Sequence, residues 1–161
     1  MPWFQLARRS TVAVALIGLA LAGAATPSVA DALDHLNGNW SGSGQFRLEN
    51  GRTESLRCNA NYLPRREALG LALRCASSSN RIELRANLVA RGNRVSGTWE
   101  ERSYNVSGSV SGVGAGNSLR LGINGGLSGS MVVTTTGGSQ SISVRTDGAA
   151  LRGINIRLRR N

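Results

Sequence analysis

From Trp40 onward, apolar and polar residues alternate with a period of two, in blocks of about a dozen residues set apart by turn-forming glycine and asparagine. That period puts successive side chains on opposite sides of an extended chain, so each block reads as a strand with one buried and one solvated face. Trp40, Gly42, Gly44, Phe46 and Leu48 share one face, and Ser41, Ser43, Gln45 and Arg47 the other. Asn50-Gly51 then supplies the positive φ angles that a tight hairpin requires. Leu56, Cys58, Ala60 and Tyr62 form the next apolar face, "LPRREA" breaks the strand at Pro64, and Leu69, Leu71, Leu73 and Cys75 resume it. Further blocks follow at Ile82 to Leu88, Val95 to Trp99, Tyr104 to Val110, Leu119 to Ile123, Leu127 to Val133, Ile142 to Val144 and Ile154 to Leu158. The turns between them include "RGNR", "NGG" and "TGGS", and the glycine-rich "GVGAG" at 112 to 116 reads as a hairpin loop. Between Asp31 and Leu36 there is room for one helical turn. The expectation is an all-β fold, an antiparallel up-and-down meander of eight to ten short strands closing into a barrel.

A short phrase recurs on this pattern: "WSGSG" at 40 to 44, "VSGTW" at 95 to 99, "VSGSV" at 106 to 110 and "LSGSM" at 127 to 131. In each, the hydroxyl residues fall on the outward face and the glycine on the inward one. Inward glycine relieves crowding at a tightly coiled wall and gives a neighbouring Trp40 or Trp99 space to lie across it. The functional alternative is that the glycines clear a ligand cavity. Trp40, Trp99, Tyr62 and Tyr104 are then the aromatic candidates for ligand contact.

Cys58 and Cys75, the only cysteines, fall on the same face of two successive strands and are expected to form one disulfide. The oxidising compartment that this requires agrees with the N-terminus. Arg8 and Arg9 precede the apolar run Val12 to Ala24, and Ser28 to Ala30 offer small residues for cleavage. Residues 1–30 therefore read as a secretory signal peptide, and 31–161 as a single β-barrel domain, periplasmic or secreted. The apolar run is shorter than the roughly 20 residues that span a bilayer.

All 19 basic residues are arginine, against 9 acidic residues, for a formal net charge of +10. An arginine excess favours contact with anionic surfaces, and the guanidinium group suits paired hydrogen bonds to phosphate and carboxylate. Arg145 and Arg152 alternate with apolar residues and project from the barrel wall, as do Arg81, Arg85, Arg120 and Arg157, the four singled out here. These four are the charged candidates for ligand contact, the expected partner being an anionic glycan, a lipid or an envelope protein. Nucleic acid is not expected, because export removes the chain from it and few aromatics are available for stacking.

Catalytic chemistry has little to work with. His35 is the single histidine, Glu100 and Glu101 point to opposite faces of a strand, and no serine or threonine is marked as activated. Two cysteines and one histidine do not make a metal site, so no enzyme activity, cofactor or metal is expected. An outer-membrane barrel would share the alternation with its faces reversed. The strands here are short, without aromatic girdles or long loops, and the chain is expected not to be an integral membrane protein.

At "LNGNW", Leu36 to Trp40, the chain resembles the start of calycin-like barrels, in which a Gly-x-Trp sits on the first strand; here these are Gly38 and Trp40. Lipocalins, avidins and the exported inhibitors of bacterial metalloproteases share that feature, and the leader, single disulfide and run of hairpins look most like the inhibitors. The resemblance implies a small exported barrel, with a protease as an alternative partner. In the inhibitors the segment before the barrel enters the protease cleft; the corresponding arm here, Asp31 to Leu36, is very short.

Overall fold

The computed structural model describes residues 33–161; the proposed leader and its cleavage site lie outside that range. Ten strands follow one another: β1 (Gly38–Leu48), β2 (Thr53–Arg65), β3 (Ala68–Ala76), β4 (Arg81–Arg91), β5 (Arg94–Glu101), β6 (Val106–Ala115), β7 (Ser118–Gly125), β8 (Ser128–Thr136), β9 (Ser139–Asp147) and β10 (Leu151–Arg160). Each pairs antiparallel with its sequence neighbours, and β1 pairs with β10 to close the barrel. The up-and-down meander expected from the alternation is thus the fold, at the upper end of the expected strand count.

The register sets the barrel's proportions. One rung runs from Arg47 through Gly153, Arg145, Ser130, Gly122, Ser111, Ser96, Val89 and Ala68 to Arg65. The direct partner of Arg47 on β2 is Thr53, so the circuit closes twelve residues further along β2, at Arg65. In a ten-stranded barrel that stagger inclines the strands by about 40° to the axis.

Inward residues of all ten strands meet in one core, with Trp40, Phe46, Tyr62 and Trp99 among Leu, Ile, Val and Ala side chains. The outward positions carry mainly Ser, Thr, Asn and Arg. This apolar interior and polar exterior is the reverse of a transmembrane barrel.

One end of the barrel is shut by the segment that leads into β1. Leu33 and Leu36, 0% and 3% exposed, enter the core from a single turn closed by a bond from Leu36 N–H to the Leu33 carbonyl. Trp40 Nε1 donates to the Leu36 carbonyl at 2.8 Å, and the Arg160 guanidinium lies 4.8 Å from the centre of the Trp40 ring while donating to the His35 carbonyl. Arg160 is therefore drawn from the outward basic series into a stacking role on the last strand. Tyr62 meets Trp40 edge to face and donates to Gln140 Oε1 at 2.6 Å. Burial pushes the Tyr62 phenol well above its ordinary range, so it remains a neutral donor.

Several local expectations change. Pro64 does not end β2, which continues to Arg65; the turn falls at Arg66 and Glu67, where Arg66 has a φ of 55°. Proline is accommodated because it stands at the last rungs of the ladder, opposite Leu69, where a missing N–H costs little. "GVGAG" is not a loop: Gly112 to Ala115 belong to β6, and the turn is Gly116-Asn117. Tyr104 is not on an inward strand face but in the β5–β6 turn, 57% exposed. There the buried Glu101 carboxylate accepts from the N–H groups of Glu83, Ser103 and Tyr104 at 2.6, 3.2 and 2.7 Å, which folds the turn back over the end of β5.

Cys58 and Cys75 are directly opposed across β2 and β3, buried and disulfide-bonded. With a sequence separation of 17, the cross-link restricts the unfolded chain by about 3 kcal/mol. Replacing both cysteines by alanine is expected to lower unfolding stability by that amount in urea titrations with the barrel intact by circular dichroism; a loss under about 1 kcal/mol would show that the hairpin needs no cross-link.

Candidate functional site

The outer wall is not evenly convex. Two adjoining concavities, of about 520 and 310 Å³, lie on the outside of β1, β10 and β9. Their position follows from the first glycine phrase. A Cβ at Gly42 would stand 2.0 Å from the Arg157 carbonyl oxygen, and one at Gly44 2.3 Å from that of Asn155. The missing side chains therefore do not leave a gap in the interior. They let β1 coil against the backbone of β10, and the wall sinks at that seam, with Gly44 and Ile156 in the floor of the larger concavity. The same collision would occur at Gly97, Gly108 and Gly129 in the other three phrases, which supports the backbone-packing explanation over a cleared cavity.

The outward residues of the three strands form a regular lattice. On the first rung Arg47 of β1 and Arg145 of β9 flank Gly153 of β10. On the second, Gln45 and Ser143 flank Asn155; on the third, Ser43 and Ser141 flank Arg157; on the fourth, Ser41 and Ser139 flank Arg159. Arg152 joins at the β10 end, where the register shifts beside Arg47 and Leu48. The lining of both concavities consists of arginines, amides, hydroxyls and short apolar or glycine positions, with no carboxylate. Arg152 is paired with Glu49 on the β1–β2 turn, whereas no carboxylate partner within ion-pair distance is found for Arg47, Arg145 or Arg157 among the described residues. Cations held near one another without counterions form an electropositive strip that attracts anions.

Of the eight residues singled out from sequence, only Arg157 belongs to this groove. Trp40, Tyr62 and Trp99 are 0%, 3% and 8% exposed and serve the core, with Trp99 Nε1 donating to the Ser109 carbonyl. Arg81 and Arg85 project from β4, on the far side of the closed barrel, and Arg120 from β7. Tyr104 sits at the opposite mouth from the N-terminal turn, donating to Asn80 Oδ1 at 2.7 Å. Of the other groove residues, sequence reasoning marked Arg145 and Arg152 as outward without setting them apart for ligand contact, and it passed over Arg47 and Gly153. Alternation marks Arg47 and Arg145 as outward, but only the closing β1–β10 pairing brings them together.

A second polar cluster lies at that opposite mouth. Glu54, 11% exposed, accepts from the hydroxyls of Ser77 and Ser79 and pairs with Arg52 at 3.1 Å. The Ser77 hydrogen bond, seconded by Ser79 and by the amide of Asn80 and the charge of Arg52, holds the Glu54 carboxyl below its ordinary value despite some desolvation. Its satisfied acceptors read as a clasp between the β1–β2 and β3–β4 turns.

The fold and groove together define a closed ten-stranded antiparallel barrel with a basic outer cleft. Among solved structures, the crystal structure of Rv2717c from M. tuberculosis is similar in fold, with a TM-score of 0.67 at 15% identity, covering 85% of this chain and 99% of that one. At the level of sequence, no family model and no curated protein matches the chain.

Two measurements check this account. Gly44→Ala is expected to destabilise the barrel by about 1–3 kcal/mol in denaturant titrations, because the new methyl must push β10 away; an unchanged midpoint would show that the seam has slack. Because the Glu54 pKa is depressed on folding, its contribution is present above the ordinary carboxylate pKa and is lost as the pH falls through the lower folded value. Ser77→Ala is expected to raise the Glu54 titration midpoint toward the ordinary value in carboxyl NMR, and an unmoved midpoint would assign the depression to other groups.

Proposed function

We propose that the chain is an exported, non-catalytic binding module of the cell envelope, whose arginine-bearing outer groove takes an anionic ligand or envelope component. The observation that carries this reading is the convergence of Arg47, Arg145 and Arg157 on a concave wall whose other lining groups are amides and hydroxyls, with no carboxylate in either lining. Guanidinium groups bind phosphate and carboxylate through paired hydrogen bonds, and amides and hydroxyls satisfy the neutral polar atoms around such charges. A soluble barrel is the reading supported by the polar exterior, and an exported one by the leader and the disulfide. The non-catalytic reading rests on the shortage of catalytic chemistry: His35, the only histidine, belongs to the closing turn and not to the groove lining.

The calycin-like reading is supported by Trp40, whose indole nitrogen ties the entering turn and whose ring carries Arg160 of the last strand. That same arrangement weakens the protease-inhibitor alternative. An inhibitory arm must project, whereas Leu33 and Leu36 are packed into the barrel end.

The groove reading is tested by matching charge loss at two places. The triple variant Arg47→Ala/Arg145→Ala/Arg157→Ala is expected to elute from immobilised heparin at clearly lower salt than Arg81→Ala/Arg85→Ala/Arg120→Ala, which removes the same number of charges from elsewhere on the wall. Direct titration with a soluble polyanion should show at least a tenfold affinity difference between them, narrowing as salt rises. Equal elution of the two variants would reduce the arginines to a general surface charge.

A further inference from the structure

The lattice of the groove suggests what kind of anion it is built for, an inference that rests on the groove reading above. Its cations are not spread evenly. Arg47 and Arg145 face one another across Gly153, two strand spacings apart, or about 9.6 Å between their backbones. The position between them carries no side chain, so both guanidinium groups can lean over the same floor and share one anionic group. The next rung, with Gln45, Asn155 and Ser143, is neutral. The third rung, the last to line the groove, returns a cation at Arg157, four residues along β10 from Gly153, or about 13 Å at the rise of an antiparallel strand; Arg159 on the fourth rung stands beyond the lining.

A monoanion would use only one end of this arrangement, and a chain charged at every unit would place charge against the neutral middle rung, where amides and a hydroxyl offer donors but no compensating cation. We propose that the groove binds a linear acidic oligosaccharide in which anionic sugars alternate with neutral ones. One carboxylate or sulfate lies between Arg47 and Arg145, the intervening neutral sugar places its hydroxyls on Gln45 and Asn155, and the next anionic sugar reaches Arg157. Amide side chains both donate and accept, which is what a ring of sugar hydroxyls needs and what a phosphate or carboxylate does not. The length of the flexible arginine side chains accommodates the difference between sugar spacing and strand rise.

The test compares two defined probes of equal length, a hyaluronan hexasaccharide, acidic on alternate sugars, and a hexagalacturonate, acidic on every sugar, by isothermal titration at low salt. Glucuronic acid serves as the single-charge control. The native protein is expected to bind the hyaluronan probe at least tenfold more tightly than the galacturonate, although the latter carries more charge. Arg157→Ala and Asn155→Leu should each cost tenfold or more on the hyaluronan probe, whereas Arg120→Ala, outside the groove, should leave its binding unchanged. Circular dichroism confirms that they fold. Equal affinity for the two hexasaccharides, with both falling alike in Arg157→Ala, would overturn the alternating pattern while leaving the groove an anion site. Failure of both probes to bind at low salt would overturn both readings.

Discussion

The backbone pairing of β1 with β10 is the contact on which the rest of the molecule depends. It joins the first strand to the last, converts an open meander with two exposed edges into a closed surface, and so removes the unpaired N–H and C=O groups that would invite association. The pairing has a steric condition, because the strands coil so closely that Gly42 and Gly44 cannot carry even a methyl group without meeting carbonyl oxygens of β10. The phrase "WSGSG" is thus the closing seam of the barrel, written as outward hydroxyls and inward hydrogen atoms. Trp40, its first residue, adds the lid: its nitrogen holds the Leu36 carbonyl, and through Arg160 the last strand is fastened to the turn that precedes the first.

Closing the barrel also makes the groove. Arg47 belongs to the first strand and Arg145 and Arg157 to the last two, and before closure nothing relates them. The seam brings them onto adjacent strands, sinks the wall beneath them, and leaves no side chain, only the buried Gly153, between the first pair. A structural requirement, close approach of two strands, and a functional arrangement, a concave basic surface, therefore share one cause. The arginines elsewhere, such as Arg81 and Arg85 on β4, stand on the opposite side of the barrel, away from the groove.

The legible part of the fold was the part governed by local periodicity. Alternation gave the faces of the strands, Asn50-Gly51 and the Gly-Gly pair at 137 and 138 gave turns, and the common phase of Cys58 and Cys75 gave their disulfide. Local signals misled where a tertiary contact outweighed them. Pro64 stays in its strand because it is placed where a ladder bond can be spared, "GVGAG" is strand as far as Ala115 because Gly112 is pressed against β7, and Tyr104 leaves its expected face because the Glu101 carboxylate gathers the amides of that turn. Trp40, Tyr62 and Trp99, three of the four aromatics proposed for ligand contact, were correctly read as inward, but inward here means core, as the near-complete burial of Trp40 and Tyr62 makes plain.

By itself the sequence determined the class of fold, the side of the wall on which each residue stands, the cross-link and the basic character of the surface, because all of these depend on neighbours a few residues apart or on composition. Only the tertiary structure decided that there are ten strands with a stagger of twelve residues around the circuit, that Leu33 and Leu36 shut one end, and that four arginines out of seventeen in the described residues come to line one groove. The reason is that register between the first and last strands is set by how closely two distant stretches of backbone can pass, and no local pattern carries that distance.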